Sequence, residues 1–150
     1  MRLALHAGRR GVADGQTPFG ACIVRKDQVV ARSHNTVWRS MDPTAHAEVN
    51  AIRRAARRLG TLDLSGCVLY STCEPCPMCF SAIHWARLDA VVFGARISDA
   101  RRLGFNELNV SDRDLKRLGG SPVRLVEDFM RGPCLELFRA WASRKSPRAY

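Results

Sequence analysis

No apolar run in this sequence approaches the roughly 18 residues of a membrane span, and there is no internal repeat, low-complexity tract or linker. The first absence excludes a helix that crosses a membrane; the second points away from a repeat array. Residues Met1 to Arg10 contain neither a long apolar stretch nor a cleavage site. A secretory signal is therefore not expected, and the cytoplasm is the default compartment. Lysine is scarce: of 24 basic residues only Lys26, Lys116 and Lys145 are lysines, so the net charge of +10 is carried by arginine. The arginines are scattered, and the pairs Arg53-Arg54 and Arg57-Arg58 lie four apart on an expected helix. A solvated helix face explains that spacing. A basic surface also attracts nucleic acid, which is the less favoured reading.

What is present fits one domain. A chain of 150 residues, 46% of them apolar, is long enough to bury a real core. Residues 1–13 read as a short helix ending near Gly15. Residues 21–24 and 29–31 read as strands, with a turn at Lys26-Asp27-Gln28. A helix over about 45–59 follows Asp42-Pro43 and stops at Gly60. Residues 68–71 form the third strand, and Pro77 suits the first position of a helix reaching Arg87. Residues 90–93 form the fourth strand. The stretch 98–121 reads as irregular with short helices, residues 123–126 as a fifth strand, and 135–145 as a closing helix. Two strands followed by alternating strand and helix predict an α/β fold: a three-layer α/β/α sandwich around a mixed five-stranded sheet.

Six cysteines are present, and three crowd into Cys73, Cys76 and Cys79. In a chain without a secretory signal, such crowding points to metal rather than disulfides. Cys22, Cys67 and Cys134 sit among apolar residues and read as small buried hydrophobes. Upstream lies His46-Ala47-Glu48, and about thirty residues on comes Pro75-Cys76-Pro77-Met78-Cys79. His46, Cys76 and Cys79 make three ligands for one Zn²⁺. A structural zinc is normally closed by four protein ligands, whereas a catalytic zinc keeps one place for water. No fourth ligand stands at a natural spacing, although Cys73 remains a candidate. Cys76 falls at the cap of the helix that Pro77 begins, with Cys79 one turn in. The positive helix N-terminus there favours thiolates. Two thiolates, a neutral imidazole and Zn²⁺ sum to zero charge, and zinc lowers the pKa of its water to about 7.

Glu48 is the fourth member. Residues two apart on a regular helix point to nearly opposite sides. His46 and Glu48 serve one metal only if the segment lies at the helix mouth, where the geometry is not yet regular. From there Glu48 is placed to take a proton from the water and pass it to a ring nitrogen and a leaving amine. An exposed helix glutamate and a structural zinc knuckle are the plain alternatives.

The pattern H-x-E…P-C-x-x-C is the signature of zinc deaminases acting on nucleobases, and the chain resembles the cytidine deaminase-like superfamily. Residues 17–21 (T-P-F-G-A), 42–48 (D-P-T-A-H-A-E), 73–79 (C-E-P-C-P-M-C), Trp85-Ala86-Arg87, Gly104-Phe105 and the terminal Tyr150 look like bacterial guanine deaminase. That resemblance implies hydrolysis of guanine to xanthine and ammonia, with one zinc per subunit. It implies that Asn35 and Ala47 hold the base edge, that Phe19, Trp85 and Phe105 line the pocket, and that Tyr150 caps it. It further implies a homodimer in which the helix and tail over 127–150 close the site, in some members by exchange between subunits. One position departs. The family commonly has an acidic pair after Gly-Phe, whose second member binds and protonates the base; here the pair is Asn106-Glu107. Glu107 keeps a carboxylate, set further out by one C–C bond of about 1.5 Å. A displacement near 1 Å costs about a hundredfold in rate. Either the pocket is adjusted, or the substrate is another amino-heterocycle, such as cytosine or an aminotriazine, or a nucleoside. A tRNA adenosine deaminase is the second reading: it shares the D-P-T-A-H-A-E stretch and resembles residues 92–96. A zinc-binding module without activity is the third.

Overall fold

A computed structural model describes residues 1–150. The elements run α1 (Arg2–Ala13), β1 (Gly20–Arg25), β2 (Gln28–His34), α2 (Val37–Ser40), α3 (Ala47–Leu59), β3 (Cys67–Cys73), α4 (Pro77–Trp85), β4 (Ala90–Ala95), α5 (Ile97–Arg102), α6 (Asp112–Gly119), β5 (Arg124–Val126) and α7 (Arg131–Ala142). The five strands form one sheet in the order β2-β1-β3-β4-β5. β1 is antiparallel to both β2 and β3, while β3, β4 and β5 run parallel. Helices α3 and α4 pack on one face, and α1 and α7 on the other. This is the expected α/β/α sandwich.

Local chemistry explains the elements. The β1–β2 turn is made by Lys26 and Asp27, both at positive φ (46° and 62°), the backbone that lets a two-residue hairpin follow the strand twist. α3 stops at Gly60, which takes the left-handed conformation (φ 66°) and donates its N–H to the Ala56 carbonyl. Pro77 opens α4 at its first position, where its missing N–H leaves no bond unmade. The stretch 98–121 contains the short helices α5 and α6, the latter capped by Ser111. The four-residue α2 has no signal in the sequence. The closing helix begins at Arg131, four residues before its expected start at Leu135, and ends at Ala142 rather than at Lys145. Pro133 looks like a breaker. It stands in the first turn of α7, where amides have no partner within the helix, so the helix tolerates it.

The arginines of α3 have a structural task. Arg54 donates to the Arg32 carbonyl, and Arg58 to the Val29 and Val30 carbonyls. β2 is an outer strand of the sheet, and guanidinium groups over its carbonyls discourage pairing with another chain.

The core runs through both helical layers and includes Leu5, Ile23, Leu69, Ile83, Val91, Phe93, Leu137 and Phe138. Its tightest contact is between α1 and β1. A Cβ at Gly20 would stand 2.1 Å from the Ala4 carbonyl oxygen and 2.5 Å from the Gly8 nitrogen. Neither backbone atom can turn aside. Gly20→Ala is expected to destabilise the fold by at least about 2 kcal/mol, lowering Tm by roughly 4–8 °C; an unchanged thermal melt would contradict this packing.

Candidate active site

The site forms where β3 ends and α3 and α4 begin. His46 is the N-cap of α3 and Cys76 the N-cap of α4, both with extended backbone. Cys79 sits one turn into α4. The His46 Nδ1 lies 3.6 Å from the Cys76 Sγ and 3.5 Å from the Cys79 Sγ, and the three donor atoms all fall within 4.8 Å of one another. Zinc bonded tetrahedrally to nitrogen at about 2.0 Å and to sulfur at about 2.3 Å sets the two roughly 3.5 Å apart. The donor set therefore fits a zinc ion in spacing as well as in chemistry.

The electrostatics agree. The Cys76 thiol is pulled down to about 4, first by a hydrogen bond from Cys79 and then by His46. The same bond holds the proton on Cys79. Burial works against a charged His46, but its hydrogen bond to Cys76 together with the charges of Cys76, Glu48 and Glu107 raises it. Cys73 differs. It is buried, and that burial holds it well above the usual thiol range; it does not join the donor cluster. Three protein ligands are thus gathered rather than four, which leaves one coordination place open.

Glu48 is only 4% exposed although its side chain is ionisable. Its position in the first turn, next to the cap, lets it face the same cluster as His46. Ser71, on β3, donates to its Oε1 at 2.7 Å, and the Cys79 thiol lies 3.6 Å from its Oε2. Burial pushes its carboxyl up, while His46 and Ser71 pull it part of the way back. A buried carboxyl beside a metal-ligand set is a proton carrier in position.

A cavity of about 10 Å³ adjoins the cluster, lined by Phe19, His46, Glu48, Cys73, Glu74, Cys76, Glu107 and Tyr150. That is room for about one water, because the C-terminal tail folds back over its own site. The Tyr150 ring stands 5.6 Å from the His46 ring and 5.7 Å from that of Phe105. Asn35 Nδ2 donates to the Tyr150 hydroxyl at 2.5 Å, and Asn106 N–H to the Tyr150 carbonyl at 3.0 Å. The other end of the Asn35 amide, Oδ1, accepts from Val37 N–H. Burial pushes the Glu107 carboxyl up to about 7, with Cys76 adding to the shift.

The expected residues thus divide. His46, Glu48, Cys76, Cys79, Asn35, Phe19, Glu107 and Tyr150 come together. Phe105 packs behind them, 4.9 Å from Phe19 between ring centroids and against Trp141. The Ala47 side chain is buried in the core, and its N–H is one of the first-turn amides without an acceptor inside the helix. Trp85 is not brought in. It ends the nine-residue α4, roughly 12 Å along the helix from Pro77. It is 82% exposed and lines a separate groove with Ser65, His84 and Arg87. Ser71, Glu74 and the rim pair Trp38–Arg148, with the guanidinium 4.0 Å from the indole centre, were not anticipated. Their contacts span distant parts of the chain and leave no local pattern.

The cytidine and deoxycytidylate deaminase zinc-binding region matches residues 1–95. The chain belongs to that family. Among its relatives, the guanine deaminase of Bacillus subtilis is 52% identical over 90 residues, covering 60% of this chain and 58% of that protein. The tRNA-specific adenosine deaminase of Aquifex aeolicus is 44% identical over 95 residues, covering 63% of each. These matches span about three fifths of the relatives' length. The structure of the guanine deaminase from Nitrosomonas europaea superposes with a TM-score of 0.86 at 28% identity, over 94% of this chain and 81% of that one. The five-stranded mixed sheet with helices on both faces is the family's fold.

The gathered ligand set predicts metal content. Purified Cys76→Ala or His46→Ala protein should retain far less than one zinc per chain by elemental analysis, whereas Cys73→Ala should retain it. Equal loss in Cys73→Ala would make Cys73 a ligand.

Proposed function

We propose that this chain is a zinc-dependent aminohydrolase that deaminates a free nucleobase, guanine first, to give xanthine and ammonia. The observation that carries the reading is a buried carboxylate, Glu48, aimed at a three-ligand metal cluster across a closed cavity from a second carboxylate. Zinc held by His46, Cys76 and Cys79 supplies an acidified water for attack at the amino-bearing carbon.

The chain's own residues do the rest. Ser71 fixes Oε1 of Glu48, leaving Oε2 to take a proton from the attacking water. Glu48 passes that proton to a ring nitrogen and then carries a proton to the departing amine. The balance is one water consumed, one C–N bond broken and ammonia released. Asn35 and the Ala47 N–H hold the base edge, and Glu107 binds a ring N–H from the opposite side. Phe19 and Phe105 form the apolar wall. Before base can bind, Tyr150 has to leave Asn35, because base and tyrosine hydroxyl compete for the same amide.

A tRNA adenosine deaminase is the second reading, supported by the 44% match over 95 residues and the net charge of +10. Two features favour the smaller substrate. Tyr150 helps line a cavity of only about 10 Å³, and a free base needs a smaller opening of the tail than a nucleotide still joined to its strand. Arg54 and Arg58 are engaged with carbonyls of β2 rather than free for phosphates.

Ammonia release should be measured from guanine, adenine, cytosine, an aminotriazine and their nucleosides, with inosine formation in tRNA assayed alongside. Guanine is expected to be fastest, and zinc-loaded protein that leaves guanine intact would overturn the substrate. Glu48→Gln should lower kcat by at least about a thousandfold while zinc stays near one per chain. Unchanged turnover in that variant would overturn the proton carrier.

A further inference from the structure

Glu74 stands between the cysteine that ends β3 and the proline before Cys76. It is 8% exposed and lines the cavity, yet both its carboxylate oxygens accept from backbone elsewhere. Oε2 accepts from Ile97 N–H at 3.1 Å, and Oε1 from Asp112 N–H at 3.1 Å. Ile97 is the first residue of α5 and Asp112 the first of α6. First-turn amides have no partner within their own helix, and a carboxylate is the strongest acceptor for them. One side chain therefore anchors the starts of two helices, at the two ends of the segment between them. The backbone of Glu74 is itself tied, its N–H donating to the Ala95 carbonyl at 2.8 Å.

The segment so held, residues 97–112, carries Phe105 and Glu107. Its first part is also held by the Asp99–Arg131 pair and by Phe105 packing on Phe19 and Trp141, whereas the stretch after Glu107 has few ties. Leu108, Asn109 and Val110 donate no backbone hydrogen bond, and the contact from Asn106 N–H runs to Tyr150, the residue that has to move when base enters. Once the tail opens, the contact from Asp112 N–H to Glu74 still ties the far end of this stretch to the exit of β3.

We propose that Glu74 is the positioning residue for the base-contacting loop, holding both ends of 97–112 so that Glu107 meets the base at the distance its longer side chain requires. This inference rests on the proposed role of Glu107. It also bears on the acidic pair Asn106-Glu107: with glutamate rather than a shorter acid at 107, the place of the loop sets where the carboxylate falls. Glu74→Gln tests it, because an amide offers one oxygen acceptor and turns an NH₂ donor toward the other N–H, releasing one helix start.

Two readouts on the zinc-loaded enzyme decide the matter. The first is hydrogen exchange: in Glu74→Gln, amides at the starts of α5 and α6 and across 103–111 should exchange faster, while those opening α3 and α4 stay as they were. The second is kinetic, on whichever base the parent enzyme turns over fastest. There kcat/KM should fall about 10- to 100-fold with zinc still near one per chain, and the same substitution should add less than about twofold in a chain already carrying Glu107→Gln. Unchanged exchange at α5 and α6, loss of zinc, or an undiminished fall in the Glu107→Gln chain would each overturn the proposal. Exchange decides alone if Glu107→Gln leaves no turnover to read. A parent enzyme that ignores guanine would overturn the substrate reading and leave both tests of Glu74 standing.

Discussion

Two helices begin at one point beyond the end of β3, and the rest of the site is arranged around that meeting. His46 caps α3 and Cys76 caps α4, so two positive helix ends face one small volume. Without negative charge there, the arrangement would be repulsive. The Cys76 thiolate supplies it, and a divalent cation held there would draw the proton from Cys79 as well, because thiols bind metal deprotonated. The sheet makes the meeting possible. β3 and β4 run parallel, so the chain leaves both strands on the same side and supplies the metal ligands and the Glu107 loop from neighbouring exits.

The same constraint explains why one motif fixes a reaction without choosing its substrate. Ligand spacing, the helix caps and Glu48 all lie within residues 46–79, inside the family's zinc-binding region at residues 1–95. The residues proposed to touch a base come largely from elsewhere: Asn35 after β2, Glu107 from the loop before α6, and Tyr150 from the tail. In this structure Tyr150 occupies the amide of Asn35 and leaves about 10 Å³ free. Under the proposed function, recognition and closure use one contact in turn.

Much of this was legible in the sequence, for reasons that can be named. His46, Glu48, Cys76 and Cys79 are close in sequence or sit at fixed helix positions, so spacing alone implies their geometry. The hairpin at Lys26-Asp27, the stop at Gly60 and the start at Pro77 follow from local backbone chemistry. The pocket role expected of Trp85 came from the family resemblance alone, and in this chain a nine-residue helix carries its end away from the metal ligands. Cys73 was left open because spacing does not reveal burial, and burial is what keeps its proton on. Glu74 gave no signal: its partners lie 23 and 38 residues away, and such contacts exist only in the folded chain.

The central claim is that three protein ligands hold the metal and a fourth place is kept open. Zinc-edge X-ray absorption on the purified, zinc-loaded chain tests it most directly. The account predicts two sulfurs near about 2.3 Å and two lighter donors near about 2.0 Å. A shell of three or four sulfurs, with Cys73 drawn in, would mark a closed structural site and contradict it.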